Sequence, residues 1–183
     1  VREYERAGVS ALHLEDQVVP RRAQGSSPEV VPAAEHADKI RAAVGARRGG
    51  ELLVIGRTDC VERLGIEEAI RRGNLYARAG ADMIFPEALE SKAEFQRFAA
   101  EVGAPILANM TEFGKSPLLS ASELKEAGVR LAIYPQSCLR VMMKAAEGLL
   151  THLRSAGSQS DLLNEMQTRQ DLYELLDYED WKE

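Results

Sequence analysis

Two cysteines in 183 residues, Cys60 and Cys138, are too few for a disulfide framework or a four-thiolate zinc site. Long apolar runs are lacking as well. None approaches the ~20 residues of a membrane span, and the opening Val1-Arg2-Glu3-Tyr4 has no apolar signal core. No membrane partner and a cytoplasmic location are therefore expected. Basic residues are in deficit: 23 Lys and Arg stand against 29 Asp and Glu, a formal net charge of −6. That balance does not provide the cationic surface that counterion release from a nucleic acid requires. An anionic partner is expected to be small and gripped by local arginines. Gly-rich phosphate loops are missing too, with neither G-x-G-x-x-G nor a Walker A sequence present.

What is present is a run of short apolar segments alternating with helical patterns, in a length that suits one sizeable core. Ala11–Leu14, Leu52–Ile55, Met83–Phe85, Pro105–Ala108 and Leu131–Tyr134 are each bounded by Gly, Pro or polar clusters, as buried parallel strands are. Between them, 34–44, 66–79, 94–102 and 121–127 carry amphipathic spacing. Gly80 is a stop signal for the second of these, and Ser120 with Glu123 has capping-box spacing. The alternation predicts an α/β fold with a parallel sheet.

Every strand candidate runs into chemically capable residues: Glu15-Asp16, Arg57-Thr58-Asp59, Glu87, Asn109 with Thr111, and Tyr134 leading towards Arg140. Strand ends border solvent and are often polar for that reason alone, but repetition over successive strands points to a site. A (β/α)8 barrel gathers its active site at the C-terminal strand ends, and an open doubly wound sheet also binds ligands there.

Together "HLEDQ", "VIGRTD", "MIFPEAL", "PILANMTEFGKSPL", "AIYPQSCLRVM" and "MQTRQDLYELLDYEDW" resemble the isocitrate lyase and phosphoenolpyruvate mutase superfamily, and within it the bacterial 2-methylisocitrate lyases. The resemblance runs from about Tyr4 to Trp181. It implies a (β/α)8 TIM-type barrel whose last helices swap into a neighbouring subunit. Such a barrel takes about 250 residues, and the five strand candidates enter the pattern near its fourth unit. The expectation is an incomplete barrel of about five parallel β/α units over 1–150. Residues 151–183 are expected as C-terminal helices packing on a neighbouring subunit of a homo-oligomer, and the chain as a fragment or truncated gene product.

The same resemblance assigns roles. Arg57, Arg140 and Arg169 align with arginines that contact substrate carboxylates, Glu87 with a substrate-contacting glutamate, and Asn109, Met110 and Thr111 with a substrate-binding segment. A guanidinium fork suits a di- or tricarboxylate, and Asp59 is placed to orient Arg57. Glu15 aligns with an acid near Mg2+ that acts through bound water. The family's principal magnesium aspartates and its Ser-Gly-Gly loop have no counterpart here. Arg21-Arg22-Ala23-Gln24-Gly25 aligns with the gating loop, and Ala23 replaces the cysteine acid, leaving no proton donor at that position.

The implied reaction of the family is Mg2+-dependent retro-Claisen cleavage of 2-methylisocitrate to pyruvate and succinate, with this chain a truncated or inactive form. Oxaloacetate decarboxylation within the superfamily is the alternative that Ala23 favours. A non-catalytic remnant that oligomerises or binds dicarboxylates is the alternative of another class. Ordinary structural duties compete for some residues: Arg169 has the spacing to pair with Glu165 on one helix, and His13 to pack within its strand.

Overall fold

The computed structural model describes residues 1–20, 27–49 and 51–178. Its contacts divide the chain into two compact units, Val1–Gln136 and Ser137–Glu183. The first opens with a single-turn helix, α1 (Arg2–Arg6), and then alternates strand and helix: β1 (Ala11–Glu15), α2 (Ala33–Gly45), β2 (Leu53–Thr58), α3 (Val61–Arg78), β3 (Met83–Pro86), α4 (Lys92–Glu101), β4 (Ile106–Asn109), α5 (Ala121–Glu126) and β5 (Val129–Ile133). All five expected strands form. They build one parallel sheet in the order β1-β2-β3-β4-β5. Spatial order that follows chain order has no switch point, which is the arrangement of a barrel wall and not of a doubly wound sheet.

Side-chain alternation divides the sheet into two faces. The helix-covered face carries the main core: Val54, Ile84, Ile106 and Ala108 pack against Ile40, Tyr76, Phe95 and Phe98 from the helices. Gly56 belongs to that face, where an added Cβ would come within 3.1 Å of both Ile40 and Tyr76. A side chain there would push α2 and α3 off the sheet. The opposite face holds a smaller cluster, Ile55, Met83, Phe85 and Leu107, flanked by Ala11 and Ile133.

Helix α3 starts five residues ahead of the expected Ile66. A first turn from Val61 is joined to the main helix across Gly65, whose backbone (φ 79°, ψ 172°) is not helical. The main helix then ends at Gly80, at φ 100°, as its stop signal predicts. The Ser120–Glu123 capping box forms and opens α5.

The second unit contains α6 (Ser137–Ala156), a 3-10 turn (Ser160–Glu165) and α7 (Arg169–Leu175). Helix α6 is amphipathic but has no buried residue, and Val141, Met142, Met143 and Leu150 are exposed. No helix among the described residues is long and apolar enough to cross a membrane.

Candidate functional site

The apolar face of the smaller cluster becomes polar at its C-terminal rim by simple continuation of the two-residue period. Ala11, His13 and Glu15 share that face on β1, Ile55 and Arg57 on β2, Met83, Phe85 and then Glu87 on β3, and Leu107, Asn109 and then Thr111 on β4. Register makes neighbours of them. Glu15 stands opposite Arg57, and Arg57 opposite Phe85.

Arg57 is the hub. Its Nε donates to Asp59 Oδ2 at 2.9 Å and Oδ1 at 3.2 Å, and its Nη2 donates to Asp59 Oδ1 at 2.7 Å. Nη2 also lies 3.3 Å from Glu87 Oε2, and Nε lies 3.7 Å from Glu15 Oε2. Below, the guanidinium carbon sits 4.6 Å from the centroid of the buried Phe85 ring, which His13 meets edge-on at 5.8 Å. Burial works against the Arg57 charge, but the hydrogen bonds and ion pairs of Asp59, Glu87 and Glu15 outweigh it and raise the pKa.

Glu87 is held on the other side by Asn109, whose amide nitrogen lies 3.5 Å from Oε2. Thr111 Oγ1 donates to Asn109 Oδ1 at 2.6 Å, turning the amide nitrogen towards Glu87. Burial pushes the Glu87 carboxyl above the usual range; Arg57 pulls it down, while Asp59 and Glu15 push it further up. Three carboxylates thus face one guanidinium, and this crowding of acids is the dominant electrostatic feature of the rim.

Arg57, Glu87, Asn109, Thr111 and Glu15 are brought together. Met110 is one residue out of phase: its side chain is buried in the helix-side core and its N–H is taken by Ile133 O at 2.9 Å. Arg140 and Arg169 belong to the second unit, exposed on the first turn of α6 and at the first position of α7. Glu165 ends the 3-10 turn and Arg169 opens α7, so the two do not share a helix and the expected helical pairing fails. Ala23 lies outside the described residues. Cys60 is buried, its thiol pushed up to about 11 mainly by burial, which makes it a poor nucleophile.

Sequence reasoning anticipated Asp59 beside Arg57 but missed the other supports of the rim. Phe85 looked like ordinary core, although its phase placed it directly beneath Arg57. Asp16, Thr58, Arg72 and Tyr76 form a buried polar cluster on the other face, and no local motif announces it. A charged residue inside the apolar stripe of α3, Arg72, was the one available signal.

The parallel barrel-type sheet, with an arginine and carboxylates converging at its C-terminal rim, is that of the TIM-barrel class. The chain belongs to the phosphoenolpyruvate phosphomutase family, whose match covers residues 1–154. It is 44% identical to a 2-methylisocitrate lyase of Aeropyrum pernix over its whole length, while covering 59% of that relative. The chain thus spans about three-fifths of the curated relative. Among solved structures, it is similar to oxaloacetate acetylhydrolase in complex with 3,3-difluorooxalacetate (33% identity, TM-score 0.85, 97% of this chain and 60% of that one). It is also similar to phosphonopyruvate hydrolase in complex with oxalate and Mg2+ (28% identity, TM-score 0.83, 98% and 63%).

The residues described here do not fit a complete magnesium site. No three His, Cys, Asp or Glu side chains among them are placed to hold a metal ion. The acids that do approach one another surround the guanidinium of Arg57, and Asp59 is fully engaged by it. Glu15 suits an outer role through water, and a magnesium ion needs other ligands besides.

Proposed function

We propose that this chain carries the carboxylate-binding part of a 2-methylisocitrate lyase-like site and is by itself a catalytically incomplete form of that enzyme. The observation that carries the proposal is the convergence of Arg57, Glu87 and Asn109 at the rim, on a chain 44% identical to a 2-methylisocitrate lyase. Arg57 supplies the fixed cation for a ligand carboxylate, and the Asn109 amide, aligned by Thr111, supplies a neutral donor beside it. Glu87 closes the third side. In its charged form it repels an incoming anion; in its neutral form it donates a hydrogen bond to one.

Arg140 and Arg169 are part of this proposal as ligands of the remaining carboxylates of a di- or tricarboxylate, as is Mg2+ with Glu15 in its water shell. No chemical step is assigned to the metal, because the described residues do not make its site. Homo-oligomerisation through the second unit and a cytoplasmic location complete the reading. The exposed apolar side chains of α6 are what a partner surface would cover.

Oxaloacetate decarboxylation is the second reading, favoured by Ala23, since that reaction has no use for the missing loop acid. The similarity to oxaloacetate acetylhydrolase bound to an oxaloacetate analogue is consistent with a four-carbon oxoacid at this rim.

The test is calorimetric titration of oxalate and of succinate into the chain at low and high salt. Binding of at least one, weakening as salt rises, is expected of an arginine-centred anion site. Absence of heat from both at low salt would overturn the proposal.

A further inference from the structure

Beneath the rim, on the helix-covered face, lies a polar cluster that the carboxylate site does not itself contain. Asp16 is fully buried at the end of β1. Its Oδ2 accepts from Thr58 Oγ1 at 2.8 Å, Arg72 Nη1 at 2.9 Å and Tyr76 Oη at 2.7 Å, and its Oδ1 accepts from the Asp59 N–H at 2.9 Å. The Asp16 N–H donates to Arg57 O at 3.2 Å. One carboxylate and its own amide therefore hold three successive residues where β2 ends: the carbonyl of Arg57, the hydroxyl of Thr58 and the amide of Asp59.

The cluster is anchored away from the rim. Arg72 Nε reaches Glu68 Oε1 at 2.9 Å, and Arg72 Nη1 reaches Val31 O at 2.9 Å and Tyr76 Oη at 3.2 Å. Tyr76 is packed edge-on against His36, with centroids 4.8 Å apart. Burying a carboxylate and a guanidinium is costly, and an apolar pair of the same volume would serve a core as well or better. The output of this arrangement is instead directional. It fixes the backbone from Arg57 to Asp59, and Asp59 returns its carboxylate to the Nε and Nη2 edge of Arg57. Arg57 is clamped at its carbonyl from below and at its guanidinium from the side. Among the described residues, its Nη1 has no hydrogen-bond partner.

We propose that Asp59, locked by the buried Asp16–Arg72–Tyr76 cluster, is the positioning residue for Arg57, engaging the guanidinium by one edge so that Nη1 is presented to the ligand. This rests on the reading of Arg57 as a carboxylate ligand. A side chain already fixed in its binding pose loses less freedom when the ligand arrives. The free end of the fork is then left to the ligand, with Glu87 on its Nη2 side.

The experiment follows the Arg57 Nε–H by 15N–1H NMR in the whole chain, assigning its signal by its loss in Arg57→Lys, with oxalate titrated in parallel. Asp59→Asn removes the gripping charge, and Tyr76→Phe removes one hydrogen bond to Asp16 while keeping the ring. Gly128→Ala is the control. It strains the backbone ahead of β5, at the opposite end of the strands, and lowers stability without touching the cluster.

In folded Asp59→Asn and Tyr76→Phe, solvent exchange of the Nε–H is expected to speed up by at least about fivefold, the scale of one lost hydrogen bond. Oxalate affinity should fall in step, and Gly128→Ala should leave the exchange unchanged. Exchange unaltered in both variants, or accelerated equally in Gly128→Ala, would overturn the proposal. If the two variants respond as expected but the unmodified chain does not bind oxalate, the positioning of Arg57 is upheld and the carboxylate reading fails.

Discussion

The guanidinium of Arg57 lies over the ring of Phe85, its Cζ 4.6 Å from the centroid, so the arginine proposed as the anion ligand rests on an aromatic of the inner core. A cation held over a ring face is worth about 0.5–1 kcal/mol at a partly exposed site. Phe85→Leu keeps the site apolar but removes that surface. Oxalate affinity is expected to fall about two- to fivefold, read by titration well below the melting temperature. Unchanged affinity would show that Asp59 alone fixes the guanidinium.

Lysine at position 57 retains the charge and loses the fork. A point charge cannot hold Asp59 by two nitrogens and still present a third to a ligand. A charge-assisted hydrogen bond is worth about 1.5–3 kcal/mol. Arg57→Lys should therefore weaken succinate or oxalate binding by at least about tenfold. Equal affinities for the two proteins would mean that net charge alone attracts the anion.

Much of this was legible because it is periodic. The five strands follow from apolar runs with breakers, and the Ser120–Glu123 box from spacing alone. Arg57, Glu87 and Asn109 fall at strand ends in phase with the inner face. Met110 shows the limit of reading a contiguous motif, since a strand sends adjacent side chains to opposite faces and its side chain is in the core. The Asp16 cluster was not legible. It joins residues 42, 56 and 60 positions apart in sequence, and nothing local in the chain encodes such a meeting. Arg169 and Glu165 mislead in the opposite sense: a helical spacing spans a break between two elements.

Glu87 should make stability pH-dependent in a direction its surroundings fix. Burial raises its pKa in the folded state, with Arg57 opposing and Asp59 and Glu15 adding to the rise. Its contribution is fully present below the ordinary glutamate pKa and is lost as pH rises through the elevated folded value. Glu87→Gln imitates the neutral form at every pH. The variant should melt above the unmodified chain at about pH 7.5 and lose that advantage by about pH 4. A lower melting temperature at the higher pH would show that the ion pair with Arg57 outweighs the burial.

Gly128 has φ 84°, and a Cβ there would lie 2.8 Å from the Cβ of Ala99. Both the left-handed backbone and the contact with α4 demand glycine. Gly128→Ala should cost about 1–3 kcal/mol, measured as a lower denaturant midpoint with an unchanged slope. An unchanged midpoint would mean that β5 enters the sheet by a different path.

Catalysis is the sharpest test of whether this chain is an enzyme or the binding part of one. The family resemblance sets Ala23 where the lyases carry their acid cysteine, and an alanine has no proton to give a developing carbanion. The described residues provide no group of three metal-binding side chains, and the carboxylates nearest each other are neutralised in part by Arg57. With Mg2+ supplied, the chain is expected to release no pyruvate from 2-methylisocitrate, followed with a coupled pyruvate assay. Ala23→Cys alone should not restore activity, because a proton donor for the carbanion would leave the charge developing on the substrate hydroxyl oxygen without the cation that would stabilise it. Pyruvate release by Ala23→Cys but not by the unmodified chain would show that the carboxylates around Arg57 do recruit the metal. Release by the unmodified chain would show that neither the loop acid nor a preformed metal site is needed.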